Sequence, residues 1–278
     1  MTRVHDARVQ LEDWGDMAGD VATDIFEKWH GAGNDFLVVI RPGRPVPLGG
    51  EVARAWCDRH TGFGADGLVE GTFADRGFTM HLHNADGGRA ELSGNGLRCL
   101  VAAAAAHGLM PEGVVDVETD AGRKRVTVAL DPSGNRAWGD ADMGEVVLGQ
   151  GDSLDRGVTA STGNPHLVIT DPGVADGQLE DLAASLTEGL GTAANVEFVT
   201  VVGDDHLSIR VVERGVGLTL ACGTGSCAVA AVAHRLGLVG DRVTVTNPGG
   251  DLVVTLDGQK ANLAGPAQRI GTFEATAP

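Results

Sequence analysis

The chain is poor in positive charge and in reactive thiols. Lys and Arg together number 21 against 38 Asp and Glu, a formal net charge of −17. Such a surface repels phosphate backbones and anionic bilayers, so neither nucleic acid nor membrane is an expected partner. It leaves room for an anionic group held locally at a helix terminus or by one arginine in a cleft. Lys28, Lys124 and Lys260 are the only lysines, and none has a sequence setting that suggests a Schiff base, which argues against pyridoxal phosphate. The four cysteines, Cys57, Cys99, Cys222 and Cys227, form no CxxC pair and no His/Cys zinc spacing. A disulfide scaffold and a structural metal are therefore not expected, and reduced thiols in a reducing compartment fit. No apolar run reaches the roughly 18 residues of a membrane span, and Met1 to Asp6 lacks the apolar start of a secretory leader. A soluble, cytoplasmic protein is the default expectation.

What the chain has is an internal repeat. Phe78-Thr79-Met80-His81-Leu82-His83-Asn84 aligns with Leu207-Ser208-Ile209-Arg210-Val211-Val212-Glu213. Ser93-Gly94-Asn95-Gly96 then aligns with Cys222-Gly223-Thr224-Gly225, an offset of 129 residues from 93 to 222. Gly33 to Val39 likewise matches Gly163 to Ile169. In each copy a strand runs into a glycine turn and then an alanine-rich helix. A repeat on this scale implies two similar domains, as a length of 278 residues also suggests.

Residues 1–24 are polar and acidic without an amphipathic period and read as an N-terminal arm. Phe26 to Ile40 reads as strand, Gly-Ala-Gly-Asn-Asp turn and strand. Val52 to Cys57 reads as a short helix, Leu68 to Glu70 as a strand, and 94–107 as a helix ended by Gly108. Strands are expected over 113–150, with turns at 120–122 and 131–134 and a domain junction near 135–142. In the second half, 178–190 reads as helix, 195–199 as strand, and 222–235 as a helix stopped by Gly237. Strands over 242–246 and 251–256 follow.

Each helix start is a nest of unpaired backbone N–H groups with the positive end of the helix dipole behind it. Gly94, Gly96, Gly223 and Gly225 let a ligand approach that backbone closely. Cys222 stands at such a start, where the dipole is expected to lower its thiol toward neutrality and suit it to move a carbon acid's proton. Cys57, Cys99 and Cys227 read as packed core. Glu213 and Arg214 end the strand before the second nest, where Asn84 stands in the first. His166 is placed to orient or polarise a reacting group. Asn34, Asn84, Asn164 and Asn195, at equivalent turns, offer donors and acceptors that suit a zwitterionic amino acid better than a phosphate.

Taken together, the motifs closely resemble the diaminopimelate epimerase family. They include His30-Gly31-Ala32-Gly33-Asn34-Asp35-Phe36, the run from Asp58 to Gly67, Asn84-Ala85-Asp86-Gly87 and Gly163-Asn164-Pro165-His166. Asn195-Val196-Glu197-Phe198, Glu213 to Gly217 and Ala221 to Gly225 complete the set, and the likeness runs from about Phe26 to Gly271. The resemblance implies an α+β fold of two pseudo-repeated domains, each a curled mixed sheet around a central helix, with the active site in the cleft between them. The domains are expected over 25–140 and 141–265, with the segment 266–278 returning to the first. The implied activity is cofactor-independent, metal-independent epimerisation of LL-diaminopimelate to the meso form, in lysine and cell-wall precursor synthesis. Two residues on opposite faces of the α-carbon move the proton, and these match Ser93 and Cys222. Asn34, Asn84, Asn164, Asn195, Glu213 and Arg214 match substrate-binding positions, and Gly94, Asn95, Gly223 and Thr224 match the nests at the reacting end. His166 and Glu213 match residues that support the acid/base pair. The partner is the small amino-acid substrate, and assembly as a homodimer stays open.

One departure from the family pattern stands out: Ser93 occupies a position where the family normally has cysteine. A hydroxyl is a far weaker acid than a thiol and needs help from a neighbour to act as a base. By microscopic reversibility the serine slows both directions alike. Leu218 is a second departure, at a position where glutamate is common. Ser93 keeps alternatives open: a related racemase, isomerase or dehydratase for another amino acid, or a non-catalytic amino-acid-binding homologue.

Overall fold

The computed structural model describes residues 24–41, 47–74, 77–190 and 193–274. Apart from Asp24, the expected N-terminal arm lies outside the described residues, as do residues 275–278.

Alternation of buried and half-buried side chains sets the first strand, β1 (Ile25–Gly31). It turns back through Ala32 and Gly33 into β2 (Asn34–Ile40). Both turn residues have left-handed backbones, φ 50° and 84°, as a two-residue hairpin turn requires. After α1 (Gly50–Cys57), β3 (Gly67–Ala74) lies parallel to β2, and β4 (Gly77–Asn84) returns antiparallel to β3. A short β5 (Arg89–Ala90) leads to α2 (Gly94–Ala106). Then β6 (Gly113–Thr119) runs parallel to β4, followed by β7 (Gly122–Leu130) and β8 (Arg136–Glu145). Beyond β9 (Val147–Leu148) the plan repeats. β10 (Val158–Ser161) and β11 (Pro165–Thr170) form the hairpin, α3 (Asp176–Leu190) the outer helix, and β12 (Asn195–Gly203) the strand parallel to β11. β13 (His206–Glu213), β14 (Gly217–Thr219) and α4 (Gly223–Arg235) follow, and β15 (Arg242–Asn247) is parallel to β13. β16 (Gly250–Asp257) and β17 (Lys260–Thr272) are the last described elements.

The central helices explain why the sheets curl. Every residue of α2 from Gly94 to Ala105 is buried, and it touches β1, β2, β3, β4, β7, β8 and β17. In the same way α4 touches strands from β9 to β17 around its circumference. A helix enclosed on all sides must be mostly apolar and thin. The alanines from Ala102 to Ala106 and from Ala228 to Ala233 serve that need, while Leu97, Leu100, Val101 and Val229 fill the gaps.

The stretch 135–142, expected to hold the junction, is largely strand β8, which pairs with β17 from Glu145↔Lys260 to Arg136↔Gln268. Past that seam β17 continues onto β1, Gln268↔His30 to Thr272↔Glu27, and β9 pairs with β10. β8 and β17 therefore join the two halves, and one apolar cluster contains both central helices.

Candidate active site

Ser93 and Cys222 are the N-caps of the two central helices and have nearly the same backbone, φ −133°, ψ 121° and φ −123°, ψ 113°. Ser93 Oγ accepts the Gly96 N–H at 3.1 Å, and Cys222 Sγ accepts the Gly225 N–H at 3.3 Å. Each expected acid/base atom thus occupies the position of a capping acceptor. The helices also meet head to head. A Cβ built on Gly223 would lie 3.9 Å from the Cα and N of Gly94, and one on either glycine would strike Leu263 Cδ2 at 2.8 Å. Close approach, not backbone freedom, is what fixes glycine at these two positions.

The first half supplies a hydrogen-bonded wall. Arg98 donates to Asn95 Oδ1 at 2.5 Å, Asn95 Nδ2 to Asn34 Oδ1 at 3.2 Å, and Asn34 Nδ2 to Asp66 Oδ2 at 2.8 Å. Arg59 closes the series on Asp66 and pairs also with Asp35. Burial works to raise the Asp35 carboxyl, but Arg59 and Lys28 outweigh it and hold it below its usual range. Asn84 is exposed at the end of β4 opposite Gly67, beside Asp66.

The second half supplies a carboxylate-rich wall. His166 Nδ1 lies 2.7 Å from Glu197 Oε1, both side chains fully buried, and its Nε2 is 3.0 Å from Thr162 Oγ1 and Asn164 Oδ1. Asn164 Nδ2 reaches Thr224 Oγ1 at 3.4 Å, and Thr224 Oγ1 is 3.5 Å from Cys222 Sγ. Asn195 Oδ1 accepts the Arg214 N–H at 3.0 Å. Thr219 donates to Glu213 at 2.6 Å. Burial raises Glu213, the Thr219 bond opposes that, and Glu197, then Asp66 from the other half, add to the rise. Asp66 of the first wall is therefore near enough to Glu213 of the second to act on it electrostatically across the boundary between them. At the edge of that boundary the halves are in contact, since a Cβ on Gly249 would lie 2.0 Å from the Ala32 carbonyl oxygen.

One sequence-based expectation is overturned. Cys222, 5% exposed, is not lowered toward neutrality. Burial first, then Glu213 and Glu197, push its thiol well above the ordinary range and outweigh the bonds from Thr224 and Gly225. The resting form is the thiol. Cys99 and Cys227 are buried in the central helices, and burial drives both up to about 12. Leu218, the second departure, packs against the cluster of Leu167, Leu179, Val196 and Phe198, and its N–H donates to Glu180.

Sequence reasoning singled out no role for Glu197, Asp66, Arg59 or Arg98. For Glu197 the signal was present: a carboxylate inside the apolar run Val196 to Val199 has to be buried and needs a partner. Among the described residues no three His, Cys, Asp or Glu side chains cluster as metal ligands, and no helix is long and apolar enough to cross a membrane.

Among solved structures, a hydroxyproline epimerase from Agrobacterium vitis superposes with a TM-score of 0.71 over 91% of this chain and 90% of its own, at 18% identity. At that identity the likeness shows the fold: paired, pseudo-repeated α+β halves. Sequence relatives are much nearer. A diaminopimelate epimerase of Desulforudis audaxviator is 38% identical over 272 residues, covering 88% of this chain and 96% of the relative. One from Sphingopyxis alaskensis is 38% identical over 265 residues, 89% and 95% of the two chains. The diaminopimelate epimerase family model matches residues 26–149 and 158–270. The chain belongs to the diaminopimelate epimerase family.

Proposed function

We propose that this protein converts LL-diaminopimelate to meso-diaminopimelate in the cytoplasm, without a cofactor, by proton transfer at one α-carbon between Cys222 and Ser93. The observation that carries the reading is the head-to-head meeting of two helices, each capped by one of these side chains. An α-carboxylate at that meeting point accepts N–H groups from both nests and lies at the positive end of both dipoles. Charge developing at the α-carbon spreads into the carboxylate, so the same donors strengthen as the proton leaves.

In one direction the Cys222 thiolate removes the α-proton and the Ser93 hydroxyl delivers its own to the opposite face. This leaves a thiol and an alkoxide that exchange protons before the next turnover. The reverse direction runs the same steps backward. Because the resting Cys222 is a thiol, it must first lose a proton. The substrate's α-ammonium assists by offsetting the nearby Glu213 and Glu197 carboxylates. Asn34, Asn84, Asn164, Asn195, Glu213 and Arg214 hold the rest of the zwitterion, while His166, fixed by Glu197, supports the cysteine side. The domains of this reading, 25–140 with 266–278 and 141–265, are supported by the pairing of β17 with β1.

Incubation of LL- or meso-diaminopimelate in deuterated water tests the reading. Stereoisomer interconversion with α-deuterium uptake is expected, and absence of both refutes it. Ser93 favours a second reading, a racemase or isomerase for another amino acid, because one-base chemistry tolerates a weak second partner. A substrate panel in which another amino acid exchanges faster than diaminopimelate would select it.

A further inference from the structure

Arg98 is a buried cation that the two-base scheme does not use. It is 1% exposed, and its bonds run to the Gly94 carbonyl at 3.2 Å and to Asn95 Oδ1. Its Nε has no partner. Among the described residues no carboxylate bonds to it, although the field of Asp140 on β8 reaches it. A cation near the start of a helix opposes the dipole, and a buried one without an ion-pair partner is costly. Even with burial drawing it down to about 10, it stays charged at neutral pH.

The fold nevertheless makes room for it. A Cβ on Gly31 or Gly265 would lie 3.3 or 3.1 Å from Arg98 Nη2, and one on Gly139 would lie 2.9 Å from its Cδ. Two strands, β1 and β17, thus present glycine where the guanidinium lies, and β8 presents one to its aliphatic stem. Arginine only donates, so it fixes Asn95 with the oxygen inward and the amide nitrogen toward Asn34. At the other end the Asp66 carboxylate only accepts and fixes Asn34. A feature that works against local stability and is still accommodated this closely points to function.

We propose that Arg98 is a positioning residue for the substrate's α-carboxylate, orienting the Asn95–Asn34 amides and holding an uncompensated positive charge behind the α2 N-terminus. This rests on the epimerase reading. It goes further by assigning the anion's counter-charge to a side chain that never touches the anion.

The test compares Arg98→Lys, which keeps charge and donor, with Arg98→Gln, which keeps a donor alone. Arg98→Lys is expected to hold KM for diaminopimelate within about fivefold of the parent. Arg98→Gln is expected to raise it about 30-fold and to lower kcat as well, with both variants unfolding at similar temperatures. A merely structural arginine would instead lower the unfolding midpoint and leave the KM of the remaining active protein unchanged. Equal KM values for the two variants, or parent-like binding by Arg98→Gln, overturn the proposal. If Arg98→Gln does not fold, a 30-fold rise in KM for folded Arg98→Lys overturns it. Calorimetric titration with meso-diaminopimelate separates the two claims. A parent that binds without exchanging its proton refutes the epimerase reading, while the same Lys/Gln comparison read in the calorimetric Kd still decides Arg98. A parent that does not bind refutes both.

Discussion

Replacing Glu197 by glutamine preserves volume and removes one buried charge beside the reactive sulfur. Its magnitude follows from the packing under α4. A Cβ on Gly225 would lie 2.5 Å from Glu197 Oε1 and 3.2 Å from Cys222 Sγ, so those two atoms are no more than about 6 Å apart. Two unit charges at about 6 Å and an effective dielectric of about 20 repel by roughly 2.8 kcal/mol. Glu197 raises the Cys222 thiol, so Glu197→Gln should lower the pH at which the thiolate forms. The assay is the pH dependence of Cys222 alkylation by iodoacetamide, read by mass spectrometry. Cys57, Cys99 and Cys227, at most 1% exposed, serve as unreactive internal references. Turnover should fall about 10- to 100-fold, because His166 loses a charged hydrogen bond of roughly 1.5–3 kcal/mol. A midpoint that stays put or moves upward would refute the electrostatic reasoning.

Ser93→Cys should increase turnover, since a thiol is the stronger acid and the better proton carrier; a tenfold or larger fall in kcat would show a pocket tuned to serine. The same variant should become sensitive to mild oxidation by disulfide formation with Cys222, whereas the parent should resist it, as activity after diamide treatment would show. Gly225→Ala should destabilise by roughly 1–3 kcal/mol through its clash with Glu197. Gly203→Ala, with no neighbour in reach of the added methyl, should leave the thermal midpoint nearly unchanged.

The repeat was legible because its punctuation is strong. Glycines fix the starts of both central helices, alanine runs fill them, and the Ala32-Gly33 turn stands between two apolar strands. The seam was harder to read. Residues 135–142 read as a junction because β8 carries Gly139, Asp140 and Asp142 among its alanines, and only pairing with a strand some 120 residues later makes it regular. Element periodicity carries no information about such distant pairing. Ser93 and Cys222 were identifiable by position, but the environment of Cys222 was not. A helix start suggests a depressed thiol, and the two carboxylates that reverse this come from β12 and β13, brought in by tertiary packing alone. Arg98 was concealed for the opposite reason, because an arginine in the first turns of a helix reads as exposed unless the enclosing sheet is known.

The two caps now differ in a way that bears on the serine. Cys222 faces Glu197 and Glu213, which oppose its thiolate, whereas Ser93 caps the helix that carries Arg98, whose charge favours an anion at that end. The carboxylates weaken the stronger acid and the cation strengthens the weaker one, so both act to narrow the gap in proton affinity that a Ser/Cys pair would otherwise have. If that is how a hydroxyl serves here, Arg98 should matter more to serine than to cysteine. The cycle of Ser93→Cys and Arg98→Gln measures this directly. The fall in kcat caused by Arg98→Gln should shrink about tenfold, roughly 1.4 kcal/mol of coupling, once residue 93 is cysteine. An equal fall in both backgrounds would mean that Arg98 acts on the substrate alone and that the serine receives no help from it.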